Sequence, residues 1–275
     1  TARRSGVGAD EYRSVSLDTE KAIKALNEQN IDGMVVDLRN NPGGSLDEVA
    51  RMLGLFIKEG PLVQIRDNKG NVQVFVDRDG GEQLYAGDMA VLINLGSASA
   101  SEIFSAAIQD YGRGLVVGST TTGKGSAQVQ RDDLALGSMT LTQRKFYRIT
   151  GGSTQNKGVV PDVPLVNIYE GIEFGEREYK NPLEWDTITT TPFMAHGKYS
   201  KDLMASIIAS SQARQQRDPQ FKYLTALNDI RAMDDDKKPA DVSIDKRRAK
   251  RELIEQKTLA AENARRQATG EMPFT

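Results

Sequence analysis

The chain has 275 residues, 36 lysines and arginines against 38 aspartates and glutamates, a formal net charge of −2, one histidine and no cysteine. That length admits one large or two modest domains, and the near-neutral charge gives no pull toward nucleic acid or a membrane surface. The absence of cysteine excludes disulfides, thiol catalysis and cysteine metal sites, and a single histidine argues against a zinc centre.

The chain begins Thr1-Ala-Arg-Arg, with no initiator methionine, and neither a signal peptide nor a membrane span is visible. In chain order, a helix is expected over about residues 19–30, followed by a strand from Gly33 that ends at Asn40. Asn41-Pro-Gly-Gly44 then turns into a helix with Leu46, Val49, Ala50, Leu53, Phe56 and Ile57 at helical spacing. Glycines at a helix start let backbone N–H groups approach a ligand oxygen, so Gly43 or Gly44 is a candidate oxyanion donor. The same residues also read simply as a tight turn. Strands over 62–66 and 72–76 flank the turn at Asp67–Gly70.

The apolar run Met89 to Leu95 reads as a buried strand, and Ile103, Phe104, Ala107, Ile108 and Tyr111 mark a helix from Ala100. Ser99 stands at their junction. A hydroxyl there can use the first free N–H groups of the helix, with Ala100 N–H as a second oxyanion donor, as in a nucleophile elbow. Gly-x-Ser-x-Gly itself is absent, and Ser99-x-x-Glu102 also fits a capping box, so both roles stay open.

A serine needs a base, and the one histidine, His196, lies in a polar stretch that reads as a surface or cap position. Lysine can substitute if burial lowers its pKa from about 10.4 to about 7 or 8, at a cost of roughly 3 to 5 kcal/mol. Lys124 is the only charge in the loop 119–125 after the strand Leu115–Gly118, and Gln128 offers a neutral amide four residues on. An ordinary exposed loop lysine is the alternative. Gly118–Lys124 also has the spacing of a phosphate-binding loop, which would make the protein an NTPase, but Gly125 replaces the magnesium-binding Ser or Thr.

A further strand is expected over 138–149 with Met139, Leu141 and Phe146 inward, then a polar linker, then long polar helices over 200–232 and 242–268. Asp234–Asp236 with Lys237, Lys238 and Pro239 reads as a helix-ending loop without spaced metal ligands. Lys246–Arg251 is interrupted by Asp245, Glu252, Glu255 and Glu262, which favours a solvated helix face over nucleic-acid binding.

Residues 37–44 (Asp-Leu-Arg-Asn-Asn-Pro-Gly-Gly), 97–104 (Ser-Ala-Ser-Ala-Ser-Glu-Ile-Phe), 109–113, 123–128 (Gly-Lys-Gly-Ser-Ala-Gln), 145–155 and 158–162 resemble the tail-specific, or C-terminal processing, proteases. The likeness covers residues 1 to about 190 and extends more loosely through Leu183-Glu-Trp-Asp186 into the helical tail of the longer, Gram-negative type. It implies Ser99 as nucleophile, Lys124 as base, Gln128 as the residue orienting that lysine, Gly44 and Ala100 as oxyanion donors, and Asp110 in support of a helix end. It implies an α/β fold, a ClpP/crotonase-like spiral ββα core over 1–170, then a linker over 171–199 and an α-helical C-terminal region over 200–275. No cofactor is expected. The implied substrates are proteins with apolar C-terminal tails, threaded as extended strands, with an adaptor protein as a candidate partner and the periplasm as the implied compartment. Such proteases carry a PDZ domain ahead of this region, and no PDZ-like signature precedes Ala25, so the chain reads as a fragment that starts inside the core. A catalytically incompetent binding fragment is the alternative from another class.

Overall fold

A computed structural model describes residues 13–76, 82–134, 137–233 and 241–274. The chain forms two compact units, one reaching to Asp162 and including Phe174–Ser200, the other made of Val163–Glu173 and the residues from Lys201 on.

In the first unit, helix α1 (Val15–Asn27) leads to β1 (Gly33–Asp37), α2 (Leu46–Gly54), β2 (Pro61–Asp67), β3 (Val72–Val76), β4 (Asp88–Ile93), α3 (Ala100–Asp110), β5 (Leu115–Gly118), β6 (Ser126–Leu134) and β7 (Gly137–Tyr147). Helix α1 begins earlier than expected because Ser14 caps it, accepting from Leu17 N–H, and Glu48 fixes Ser14 and Ser16 through their hydroxyls. Strand β4 lies between β1 and β5, parallel to both, with Val36 opposite Val91 and Val91 opposite Val116. A second, antiparallel sheet runs β3-β2-β7-β6.

The central strand of the parallel sheet buries one face completely at Val91 and Ile93, while Ala90 and Leu92 on the other face are half-buried. Helix α3 is buried from Ala100 to Ile108, and its small residues Ser101, Ser105, Ala106 and Ala107 let it pack closely. Phe56 meets Phe104 edge to face at 5.7 Å. Because the strands are parallel, the loops after β1, β4 and β5 all leave from one end of the sheet, where open α/β sheets place their sites.

Phe146 is buried as expected, but Met139 and Leu141 are exposed. The β6–β7 ribbon is exposed along most of β7, and its alternation of apolar residues faces solvent instead of a core. In the second unit the expected helix over 200–232 is two, α4 (Lys201–Arg217) and α5 (Pro219–Met233). Pro219 cannot continue the first helix, and Asp218 caps the second by accepting from Gln220 N–H at 2.7 Å. Helix α6 (Ile244–Ala268) follows, starting at the cap Ser243. The basic run 246–251 is exposed at every residue. The motif from Asp234 to Pro239 lies outside the described residues. Among the described residues, no helix is long and apolar enough to cross a membrane, and no His, Cys, Asp or Glu cluster could hold a metal ion.

Of the stretch 171–199 read as a linker, residues 174–199 belong to the first unit. Ile188 N–H bonds to Gly151 O at 2.9 Å, Thr191 N–H to Ile149 O at 2.9 Å, and Phe193 packs on Tyr111. Asp186 anchors the segment by accepting from Lys145, Arg66 and the Tyr147 hydroxyl. Burial pushes its carboxyl up, but these three donors outweigh it and hold the pKa below the ordinary value. A depressed folded pKa gives stability that is present above about pH 4 and lost as pH falls through the folded value. Asp186→Asn is therefore expected to lower the melting temperature at pH 7 and to leave it less dependent on pH below 4. An unchanged acid limb in a thermal-shift series would refute this.

Candidate active site

The three loops that meet at the end of the parallel sheet are held to one another by short polar contacts. After β1, Asn40 N–H donates to Asn94 Oδ1 at 2.9 Å, and Asn41 O accepts from Ala98 N–H at 3.0 Å and from the Ser101 hydroxyl at 3.1 Å. Ser97 Oγ donates back to Leu38 O at 2.8 Å, and Ser97 O accepts from Thr122 N–H at 3.0 Å. Ser99 sits in the middle of this clasp.

Three of the serines that precede helices behave as ordinary caps. Ser14, Ser45 and Ser243 have extended backbones and accept a backbone N–H through the side chain. Ser99 differs, with φ 54° and ψ −112°. Its backbone N–H donates to the Glu102 carboxylate at 2.8 Å, the reciprocal half of a capping box, and Glu102 N–H donates to the Ser99 carbonyl at 2.9 Å. A non-glycine residue held in such a conformation costs on the order of 1 to 3 kcal/mol and persists only where its surroundings enforce it. The strained strand-to-helix turn is the geometry of a nucleophile elbow, reached without the flanking glycines.

Gly43 is part of what enforces the turn. It has φ 96°, and a Cβ there would lie 2.6 Å from Ala98 O, 2.7 Å from Ala100 N and 2.9 Å from Ser99 Cβ. Its own N–H donates to Asn41 Oδ1 at 2.9 Å, which leaves it poorly placed as an oxyanion donor. Gly44 N–H and Ala100 N–H have no acceptor among the described residues. Gly43→Ala is expected to lower the melting temperature and cut activity about 100-fold by displacing the turn, whereas a Cβ on Gly44 meets nothing within 4 Å. Equal melting temperatures for the two alanine variants would contradict the close packing.

Lys124 stands in a loop pinned residue by residue. Gly123 O accepts from Asn156 N–H at 2.8 Å, and Gly125 N–H donates to Oε1 of the fully buried Gln155 at 2.9 Å. Its own N–H goes to Glu102 Oε2 at 2.9 Å, the oxygen that accepts Ser99 N–H at 2.8 Å. No carboxylate pairs with the Lys124 ammonium among the described residues. The N–H groups of Gly123 to Gly125 are thus spent on protein acceptors, and β6 follows instead of a helix. This is no phosphate cradle.

Residues 10–165 match the sequence profile of Peptidase family S41. The chain belongs to that family. Residues 169–275 match the C-terminal domain of tail specific protease, DUF3340. A tail-specific protease of Haemophilus influenzae is 37% identical over 264 residues, which cover 92% of this chain and 38% of that protein. A carboxy-terminal-processing protease of Bartonella bacilliformis is 35% identical over 177 residues, 61% of this chain and 41% of its own length. Among solved structures, a photosystem II D1 C-terminal processing protease is similar at 34% identity and a TM-score of 0.49, over 55% of this chain and 39% of that one. The chain thus spans about two-fifths of the length of these curated relatives.

The candidate residues that the sequence singled out are not all equally engaged. Gln128 is exposed on β6, and its amide donates to Thr142 Oγ1 at 3.4 Å across the ribbon; it makes no hydrogen bond with Lys124 among the described residues. Asp110 is buried at the far end of α3, where Arg148 Nε donates to it at 3.0 Å and ties the helix end to the chain after β7. His196 packs against Tyr111 at that same far end. With 11 residues in α3 and about 1.5 Å per residue, it stands roughly 16 Å from the Ser99 turn.

Sequence reasoning missed the central role of Glu102. It is completely buried, and besides Ser99 and Lys124 its carboxylate accepts the Thr121 hydroxyl at 2.5 Å and Gly123 N–H at 2.8 Å. Burial pushes this carboxyl above its ordinary pKa, while the hydroxyl and the three N–H donors pull it back. All four partners donate, so the arrangement suits the ionised form. The one acid in the otherwise apolar and small-residue run Ala100–Ile108 was the available signal, and it was absorbed into the capping box.

Proposed function

We propose that this chain carries a serine peptidase centre that works through Ser99 and Lys124. Ser99 Oγ attacks the carbonyl carbon of a scissile peptide and passes its proton to Lys124 Nζ. The tetrahedral oxyanion forms against Gly44 N–H and Ala100 N–H at the positive end of α3. Lys124 then gives the proton to the leaving amine, an acyl-enzyme remains on Ser99, and a water activated by Lys124 releases it. The observation that carries this reading is the sharing of Glu102 Oε2 by the N–H groups of Ser99 and Lys124. It couples the strained serine turn to the lysine loop through one buried atom.

The substrates in this reading are proteins with apolar C-terminal tails taken as extended strands, with an adaptor protein as a further partner and the periplasm as the site of action. Those features rest on the resemblance to the tail-specific proteases. An unfolded protein with an apolar C-terminus is the test substrate. The chain is expected to cleave it, and Ser99→Ala to abolish cleavage with an unchanged melting temperature. Cleavage at equal rates by both would overturn the assignment.

A further inference from the structure

Helix α6 ends in a glycine turn, with Gly270 at φ 80° and Glu271 N–H bonded to Arg266 O at 2.7 Å. That turn stops the helix, and it asks nothing of the residues beyond it. The chain nevertheless runs back along α6 and is gripped there. Phe274 N–H donates to Asn263 Oδ1 at 2.7 Å, and Phe274 O accepts from Asn263 Nδ2 at 3.0 Å. One side-chain amide thereby makes the two-point contact that a neighbouring strand would make, and it reads main chain, whatever the side chain.

Two arginines supply selectivity beside it. Arg266 Nε donates to Met272 O at 2.6 Å, and its guanidinium lies 4.1 Å from the centre of the Phe274 ring. Arg265 and Arg266 both pair with Glu271, at 3.0 and 3.3 Å, while Glu262 balances part of their charge at 2.7 and 3.7 Å. Next to the ring, a groove of about 400 Å3 is lined by Tyr223 of α5 and by Ile254, Thr258 and Leu259 of α6. The parts are those of a peptide site: a backbone clamp, an anion contact, a cation over an aromatic ring and an apolar wall.

We propose that this face of α6 is a docking site for an extended peptide with an acidic residue three positions before an aromatic one, and that Glu271–Phe274 is its resident ligand within the same chain. A cis ligand on a short tether competes at an effective concentration in the millimolar range. An external peptide therefore binds well only when the resident segment is weakened.

The probe is acetyl-Glu-Met-Pro-Phe-Thr-amide, titrated into the full chain by calorimetry. The double variant Glu271→Gln, Phe274→Ala, which loosens the resident segment, is expected to bind it at least tenfold more tightly than the unaltered chain. Adding Asn263→Ala to that variant is expected to weaken binding at least tenfold, and so is replacing Phe by Ala in the peptide. Alanine favours the helix at position 263, so α6 is retained. In the unaltered chain the Phe274 amide is expected to exchange slowly with deuterium, and Asn263→Ala alone to release it. No binding to the double variant, equal binding with and without Asn263, or a Phe274 amide that exchanges freely in the unaltered chain would each overturn the proposal. No arm depends on cleavage, so failure here and failure of the peptidase reading are told apart.

Discussion

Replacing Lys124 by methionine is expected to lower the cleavage rate by a factor of about 100 to 10,000, the range that a positioned general base contributes. The melting temperature is expected to stay where it is, because no carboxylate partner of the ammonium is lost among the described residues and the loop is held by backbone contacts from Glu102, Gln155 and Asn156. Lys124→Arg separates a base from a mere positive charge. A guanidinium has a pKa above about 12 and cannot take the serine proton, so the arginine variant is expected to be as inactive as the methionine one. Recovery of activity with arginine would mean that Lys124 acts only as a fixed charge. Full activity of the methionine variant would remove it from the mechanism altogether. Steady-state cleavage and thermal unfolding, measured on the same preparations, give both answers.

Glu102→Ala is expected to cost more in stability than any other single change near the site. It strands the Thr121 hydroxyl and the N–H groups of Ser99, Gly123 and Lys124 in a fully buried position. Each unsatisfied buried donor costs roughly 1 to 3 kcal/mol. Partial rearrangement brings the expected total to about 3 to 5 kcal/mol, less than the sum for four stranded donors. At about 2 to 4 °C per kcal/mol for a unit of this size, the melting temperature should fall by roughly 10 °C. Activity should fall about 100-fold in the fraction that remains folded, since the serine turn and the lysine loop are no longer fixed by one atom. Glu102→Gln sharpens the test. Its single oxygen can keep Ser99 and Lys124 together, while its amide NH2 then faces Gly123 N–H and leaves that donor unpaired. It is expected to recover activity more fully than stability. A glutamine variant no more active than the alanine variant would show that the carboxylate charge, and not the shared oxygen, is what the site requires.

Much of the first unit was legible because local chemistry and tertiary packing agree there. The strands 72–76 and 115–118 fall where alternation and β-branched residues put them, and the helix from Leu46 follows its apolar spacing. Glycine and proline punctuation marked Asn41–Gly44, and the structure adds that Gly43 is glycine because the Ser99 turn leaves no room for a Cβ. Where local pattern failed, tertiary context had the deciding vote. Met139 and Leu141 alternate like core residues, but no described element covers that end of the β6–β7 ribbon. The polar segment 183–193 reads as a linker because its anchors are backbone groups and one carboxylate, Asp186, whose partners Arg66 and Lys145 come from distant strands.

The residue types proposed for the candidate centre could be narrowed from the sequence. A chain without cysteine and with a single histidine in a polar stretch makes serine and lysine the economical candidates for nucleophile and base, and Ser99 and Lys124 stand at a strand-to-helix and a strand-to-loop junction. Whether Ser99 was a cap or something else lay beyond it, because Ser-x-x-Glu spells both. The folded chain adds the φ of Ser99 and the donors that a buried carboxylate gathers, which are properties of the whole clasp. The parallel sheet brings the loops after β1, β4 and β5 to one end, and there Glu102, three residues from Ser99 and 22 from Lys124, accepts hydrogen bonds from both. Contacts between loops far apart in sequence have no local signature, and so the link between the two residues appears only in three dimensions.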